Sequence, residues 1–267
     1  MRALPLPLAL ILCGTPVFAQ MGRTEGPAPS NRSFTVGGQV YGPDLTGHFQ
    51  GIQDGQPIFL DLDSDLGLGK DKTTAGFFMD YQGPRFGFQV SSGSAEYRGD
   101  RLLTRTITLN GTTYSAADRV LSHVKLASVD GTWTIKFFSY PEGWVGFDLG
   151  VQAWKIDMDV HDVPPAPLTA TYSSTSVSAP IPQFGLSGGT RAFDGRLESK
   201  ATLHYLAYKG AKYTLFGLDV RVFPVKWLGL RAFYEGGSFD VPKGSVKDDL
   251  EFKLDRKGVG FGVVARF

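Results

Sequence analysis

Gly258-Val259-Gly260-Phe261-Gly262-Val263-Val264-Ala265-Arg266-Phe267 closes the chain. Val259, Phe261, Val263, Ala265 and Phe267 share one parity, and Gly258, Gly260, Gly262, Val264 and Arg266 share the other. Side chains of a strand point alternately to its two faces. This stretch therefore predicts a strand with a continuous apolar stripe on one side and mostly glycine on the other. A soluble sheet has no reason to finish such a stripe on an exposed aromatic residue; an apolar outer wall does.

The same period runs back through the chain. Leu228, Leu230, Ala232 and Tyr234 alternate with Gly229, Arg231, Phe233 and Glu235. Phe216, Leu218, Val220 and Val222 alternate with Gly217, Asp219 and Arg221; Leu197, Ala201, Leu203 and Tyr205 alternate with Glu198, Lys200, Thr202 and His204. Val145, Phe147, Leu149 and Val151 do so with Gly146, Asp148 and Gly150, and Phe86, Phe88 and Val90 with Gly87 and Gln89. Strands are expected near 33–42, 72–82, 84–110, 112–140, 143–159, 180–193, 196–209, 211–223, 226–240 and 250–267. Gln82-Gly83-Pro84, Pro141-Glu142-Gly143, Asp194-Gly195 and Pro224-Val225 read as tight turns. Segments 43–71, 160–179 and 241–249 are long connections, and Asn110-Gly111 and Lys209-Gly210 read as short hairpins, Asn-Gly suiting the positive φ of a two-residue loop. With an even strand count, the tight turns fall at one end and the long loops at the other, as in barrels of the bacterial outer membrane. The segments 84–110 and 112–140 far exceed the 9–11 residues of a tilted spanning strand. They must project outward as a ribbon or break, so eight and twelve strands stay open beside ten.

The start of the chain sets the expected compartment. Arg2, the apolar run Leu4–Leu12 and the small residues of Val17-Phe18-Ala19 predict a signal peptide over 1–19, followed by a flexible lead-in over 20–32. Lipidation at Cys13 would need a small residue where Leu12 stands. Cys13 is the only cysteine, so the processed chain would have no disulfide and no thiol chemistry. Lys+Arg 27 against Asp+Glu 26 argues against a nucleic-acid partner. Polar residues interrupt every later apolar run, which excludes a helical membrane protein.

A secreted β-sandwich would also alternate. Two features favour a membrane barrel. Glycine, 34 residues in all, crowds the face that carries Asp80, Arg85, Lys136, Asp148, Glu198, Lys200, Asp219, Arg221, Arg231 and Glu235, and a narrow barrel needs small residues where side chains converge on its axis. Tyr81, Trp133, Tyr140, Trp144, Tyr205 and Trp227 sit near expected strand ends, where interfacial aromatic girdles belong, though parity also allows Trp144 to point inward. The expected fold is all-β: a single antiparallel transmembrane β-barrel of about ten strands over 33–267.

The terminal pattern Val259-x-Phe261-x-Val263-x-Ala265-x-Phe267 resembles the signal by which assembly machinery recognises outer-membrane barrels. Ile58–Gly69, Ile-Phe-Leu-Asp-Leu-Asp-Ser-Asp-Leu-Gly-Leu-Gly, resembles a family of small outer-membrane barrel proteins of unassigned function. The resemblance implies outer-membrane location, with lipids, lipopolysaccharide and the barrel-assembly machinery as partners. It brings no catalytic residues and no cofactor.

Chemistry-bearing groups are sparse. Asp61-x-Asp63-x-Asp65 begins like a calcium loop, but Leu66 and Lys72 stand where an EF-hand needs glycine and glutamate. Ile58, Leu60, Leu62 and Leu66 then read as a strand packed in or over the barrel mouth. Asp157, Asp159, His161 and Asp162 gather at an outer strand end, where such a group could activate water as in the omptin proteases, or form a solvated rim. The expected lumen cluster is Asp148, Glu198, Lys200, His204, Asp219, Arg221, Arg231 and Glu235, whose opposite charges favour mutual pairing over an open pore. The expected function is non-enzymatic, structural or in surface interaction, with a narrow or plugged lumen. A narrow channel for small or hydrophobic solutes is the alternative; a lipid-modifying enzyme would need His, Ser and carboxylate to converge.

Overall fold

The computed structural model describes residues 32–53, 56–68, 74–109, 112–165, 168–208, 210–243 and 251–267. The expected signal peptide and, Arg32 apart, the lead-in lie outside the described residues, as do Asn110, Gly111 and Lys209 of the two expected hairpins.

The strands are β1 (Ser33–Gln53), β2 (Gln56–Asp61), β3 (Thr74–Gln82), β4 (Phe86–Leu102), β5 (Ile107–Leu109), β6 (Thr112–Tyr114), β7 (Arg119–Tyr140), β8 (Gly143–Asp162), β9 (Tyr172–Ala192), β10 (Leu197–Tyr208), β11 (Ala211–Val222), β12 (Leu228–Val241) and β13 (Glu251–Arg266). Ten of them, in the order β1, β3, β4, β7, β8, β9, β10, β11, β12, β13, form an antiparallel sheet that closes where β13 pairs with β1. Closure is tight: Phe34 N–H donates to the Phe267 carbonyl at 3.0 Å and Phe267 N–H to the Phe34 carbonyl at 2.8 Å. A closed barrel pairs every wall strand and leaves no edge in lipid.

The overlong pair breaks rather than projecting as one ribbon. β4 and β7 pair from Leu102↔Arg119 down to Phe86↔Ile135, while β5 and β6 form a separate small hairpin. The break leaves the count at ten. Two connections are also more ordered than expected. β1 continues through 43–53 and pairs with β2 inside the first long loop, and β9 begins at Tyr172. In the turn between β9 and β10, Phe193, Asp194 and Gly195 all have positive φ, 54°, 55° and 78°.

Each long strand changes which face is apolar. In β8, Val145, Phe147, Leu149 and Val151 are exposed on the outer wall, while further along Trp154 and Val160 are buried inside. In β7, Trp133 and Ile135 face out, and Val120, Val124 and Leu126 face in. The half nearest the tight turns is therefore apolar outside. The other half has an ordinary interior core, in which Leu60, Leu62, Leu66 and Leu68 pack against Tyr97, Ile107, Tyr114 and Val124. Gly99 lies under this inserted loop: a Cβ there would stand 1.6 Å from the Leu66 carbonyl oxygen.

Between β9 and β10 the pairing of the wall stops short. β9 and β10 pair from Leu197↔Ala192 to His204↔Gly185, and among the described residues no strand pairs with that side of β9 beyond Gly185. Its ladder to β8 continues unbroken through Pro180 and Pro182. Proline has no N–H to donate and is tolerated at a strand edge, which suits these positions to an unpaired side. Ile181, Tyr213 and Leu215, with Leu206 against them, close the interior behind the seam.

Candidate functional site in the barrel lumen

The lumen is organised in layers. Near the tight turns Asp219 is a hub: Arg231 donates to its Oδ2 from Nε and Nη2 at 2.6 Å, and Arg221 Nε donates to its Oδ1 at 2.9 Å. Arg221 Nη1 also reaches Asp80 at 2.7 Å, and Arg231 donates to Gln39. The Phe78 ring faces both guanidiniums, with centroid distances of 4.5 and 4.0 Å. Glu198 accepts from Arg191 Nε at 3.1 Å and Arg266 Nη1 at 3.2 Å. Removing these charges from water is costly unless each finds a partner, and every carboxylate here does.

The middle layer centres on Asp148, which is fully buried. Its Oδ1 accepts from Thr134 Oγ1 at 2.6 Å and Ser187 Oγ at 2.8 Å; its Oδ2 lies 3.1 Å from His204 Nε2. A carboxylate without a proton can only accept, so His204 Nε2 is the donor in this contact. Lys200 Nζ donates to Gln89 at 2.8 Å. Lys136 and Lys200 both lie over the Trp144 ring, at 4.7 and 5.9 Å, which places Trp144 inside. Above this layer Glu235 pairs with Arg256, and Tyr213 donates to Gln152 at 2.7 Å. Between the layers is a cavity of about 110 Å³, lined among others by Gln89, Asp130, Asp148, Lys200, His204 and Arg256.

Of the eight expected lumen residues, Asp219, Arg221, Arg231 and Glu198 meet in one layer. Asp148 and His204 meet in the next, with Lys200 nearby but bonded elsewhere, and Glu235 stands apart with Arg256. Arg85 is exposed at a turn. Val259, Phe261 and Val263 face the outside of the wall, and Phe267 is exposed at the barrel's end. Sequence reasoning passed over Asp130, Gln183, Arg256 and Phe78, which share the lumen parity of their strands but lie outside the cleanest alternating runs.

Ser187, Asp148 and His204 do converge, yet in the wrong order for acyl transfer. That chemistry needs the hydroxyl on the imidazole's free nitrogen. Here Ser187 bonds the carboxylate, and His204 Nδ1 has no hydrogen-bond partner.

At the outer end the acidic loop is a structural lock. Asp65, 3% exposed, receives Arg105 Nε at 3.1 Å and a second bond from its Nη2, and the Asp61 N–H donates to it at 2.8 Å. Asp61 itself accepts from the N–H groups of Asp63 and Ser64. Burial pushes the Asp61 carboxyl up, but these donors outweigh it and hold it below the usual carboxylate range. The arginine thus occupies the Asp65 oxygens a cation would need. Asp157 accepts from Ser176, Asp159 from Tyr172 and Asp162 from the Thr171 N–H, which makes that cluster a hydrogen-bonded rim.

No protein-family model matches the chain, and no curated protein matches it. Among solved structures it resembles the outer membrane protease OmpT from Escherichia coli, with a TM-score of 0.58 at 8% identity over 88% of this chain and 97% of that one. It also aligns with the attachment invasion locus protein Ail of Yersinia pestis, at TM-score 0.32, 12% identity and 90% of this chain against 100% of that one. The outer membrane protein AlkL gives TM-score 0.40, 12% identity, and coverage of 92% and 95%. The OmpT likeness concerns the fold: this chain is a bacterial outer-membrane β-barrel of ten strands. Its place is the outer membrane, where a closed barrel with an apolar outer belt is at home.

Proposed function

We propose that the chain is a non-enzymatic integral outer-membrane barrel that presents its outer half as a structural or surface-interaction element above a closed lumen. The observation that carries this reading is the layer built on Asp219, where Asp80, Arg221 and Arg231 cross the barrel and occupy its axis. The Ser187–Asp148–His204 wiring supports the non-enzymatic part, because the imidazole activates no hydroxyl. Lipids and lipopolysaccharide around the belt, and assembly machinery reading Val259, Phe261, Val263 and Phe267, belong to the same reading. The narrow-channel reading keeps one specific support, the unpaired seam between β9 and β10.

Heat-modifiability and planar-bilayer conductance of refolded protein test the choice. A mobility shift without conductance is the expected result, with conductance appearing in Arg231→Ala. Discrete conductance in the unmodified protein would replace this reading with the channel.

A further inference from the structure

β9 and β10 are tightly packed at their last shared rung and then part. At that rung, His204↔Gly185, a Cβ on Gly185 would stand 2.0 Å from the Leu203 carbonyl oxygen. Beyond it β10 runs on to Tyr208, and β9, traced outward, continues through Pro182 and Pro180, yet among the described residues the two strands pair no further. The prolines account for the parting. In an antiparallel ladder a residue turns its N–H and C=O to the same neighbour, and successive residues alternate. The ladder to β8 accepts both prolines, so their missing N–H groups lie on the β10 side. There the Pro180 and Pro182 carbonyls stand without companion donors. Ala207, which a continued register would set against Pro182, turns its own N–H and C=O to the same gap.

The result is a crevice in the outer wall with apolar sides and no way through. Phe184, Pro182 and Pro180 flank it on one strand and Leu203, Tyr205 and Ala207 on the other, all exposed on the outer surface. Ile181, Tyr213 and Leu215, with Leu206 against them, close it from behind. From Gly185 to Pro180 the strand takes five steps. At about 3.3 Å each and a tilt of about 40° they climb about 13 Å, close to the roughly 15 Å of one leaflet's hydrocarbon. The upper end stops just inside the water boundary, since Ser178, the next outward position above Pro180, pairs with the charged Lys155. The crevice is continuous with the lipid belt, so lipid fills it, and backbone groups left unpaired in hydrocarbon are costly.

We infer that the crevice seats one acyl chain of an outer-leaflet lipopolysaccharide, a chain joined by an amide and carrying a hydroxyl near that link. This deepens the reading that puts lipopolysaccharide around the belt and rests on it. The hydrocarbon tail lies between Phe184 and Tyr205. The amide N–H and the hydroxyl donate to the Pro180 and Pro182 carbonyls, and the amide oxygen accepts from the Ala207 N–H. An ester-linked phospholipid chain fills the same space but brings no donor.

The test is native mass spectrometry of the refolded barrel released from phosphatidylethanolamine vesicles that hold a minor share of lipid A. One lipid A should stay on the barrel, enriched several-fold over its share of the vesicle. A lipid A analogue with ester links in place of the amides should lose the enrichment. Joint Pro180→Val and Pro182→Val, which give β9 back its donors and let the ladder to β10 run on, should lose it too, while the folded gel band persists. Lys155→Gln, on the charged rim, should keep it. Equal retention of phosphatidylethanolamine, lipid A and the ester analogue would overturn the assignment, making the crevice an ordinary part of the belt. Enrichment that survives the proline pair and falls with Lys155→Gln would overturn it by placing the lipid on the rim. If the proline pair fails to fold, the ester analogue still decides. None of these outcomes depends on conductance, so the crevice can fail while the closed-barrel reading stands.

Discussion

The two halves of this barrel solve opposite solvent problems with the same strands. In the membrane half Phe147, Trp133, Leu230 and Phe261 face lipid, and Asp148, Asp219 and Arg231 fill the inside. In the outer half the arrangement reverses: Leu66, Leu68, Tyr97 and Tyr114 are buried within, and Arg98, Asp100, Arg119 and Lys155 face out. Burial of apolar area stabilises only the outer half in the ordinary sense. Lipid is as apolar as the belt, so the membrane half depends on closure of the hydrogen-bonded wall and on satisfied polar contacts in the lumen. The two halves should therefore respond differently to the same kind of damage.

The largest difference is expected from Asp219→Ala. It leaves two buried guanidiniums short of a partner, and breaking such a group costs about 3–5 kcal/mol. Urea titration of the heat-modifiable band in liposomes should show the loss as a lower midpoint for the whole barrel. Next comes Leu66→Ala, a core truncation of about 2–5 kcal/mol. Its damage should stay local: protease should gain access to the outer loops while the membrane half keeps its folded mobility. If Leu66→Ala instead unfolds the entire barrel, the halves are one cooperative unit and the comparison fails.

That division also explains what could be read from the chain. The last strand, the turns and the lumen parity of Asp148, Glu198, His204, Asp219, Arg221 and Arg231 follow from period-two alternation, because the outer face stays apolar through the membrane half of these strands, as at Leu203, Leu218, Val220 and Leu230. β4 and β7 were harder. From Phe88 to Tyr97 and from Val124 to Trp133 the parity holds, but the apolar residues move from Phe88 and Trp133 outside to Tyr97 and Val124 inside, so the apolar alternation lapses midway. Asp130 and Gln183 lie near such crossovers, and their meeting depends on register between strands far apart in sequence. That 84–110 and 112–140 must project or break followed from their length, but the place of the break after Leu102 did not, since Ile107–Leu109 and Thr112–Tyr114 form strands of their own.

A pH test separates the halves without mutation. Tyr114, in the outer core, has its hydroxyl pushed up to about 12 by burial first and by the nearby Asp162 carboxylate next, and it donates to the Val160 carbonyl at 2.9 Å. Raised above its ordinary value near 10, the group contributes stability that is fully present below about pH 10 and lost as pH rises through about 12. Hydrogen exchange of the outer half should therefore quicken in that window, and Tyr114→Phe should reduce the dependence, the remainder belonging to Tyr97 in the same core, whose hydroxyl burial also pushes up to about 12. Exchange that quickened equally in both halves would mean that the outer core has no separate opening.

The smallest effects come from matched hydroxyl deletions. Ser187 donates to the Asp148 carboxylate in the membrane half, and Ser122 donates to the neutral Leu66 carbonyl in the outer half, both at 2.8 Å and both buried. Ser122→Ala removes a neutral bond of about 0.5–1.5 kcal/mol, and Ser187→Ala a charged one of about 1.5–3 kcal/mol. Asp148 keeps Thr134 and His204, which draws the second figure toward its lower end. The Leu66 carbonyl, which also presses against Gly99, keeps no comparable side-chain donor, which draws the first upward. Equal losses in urea midpoint would mean that water reaching the cavity replaces the Ser187 bond. A clear excess for Ser187→Ala would show that the lumen around Asp148 is dry enough for charge, rather than apolar area, to decide the stability of the membrane half.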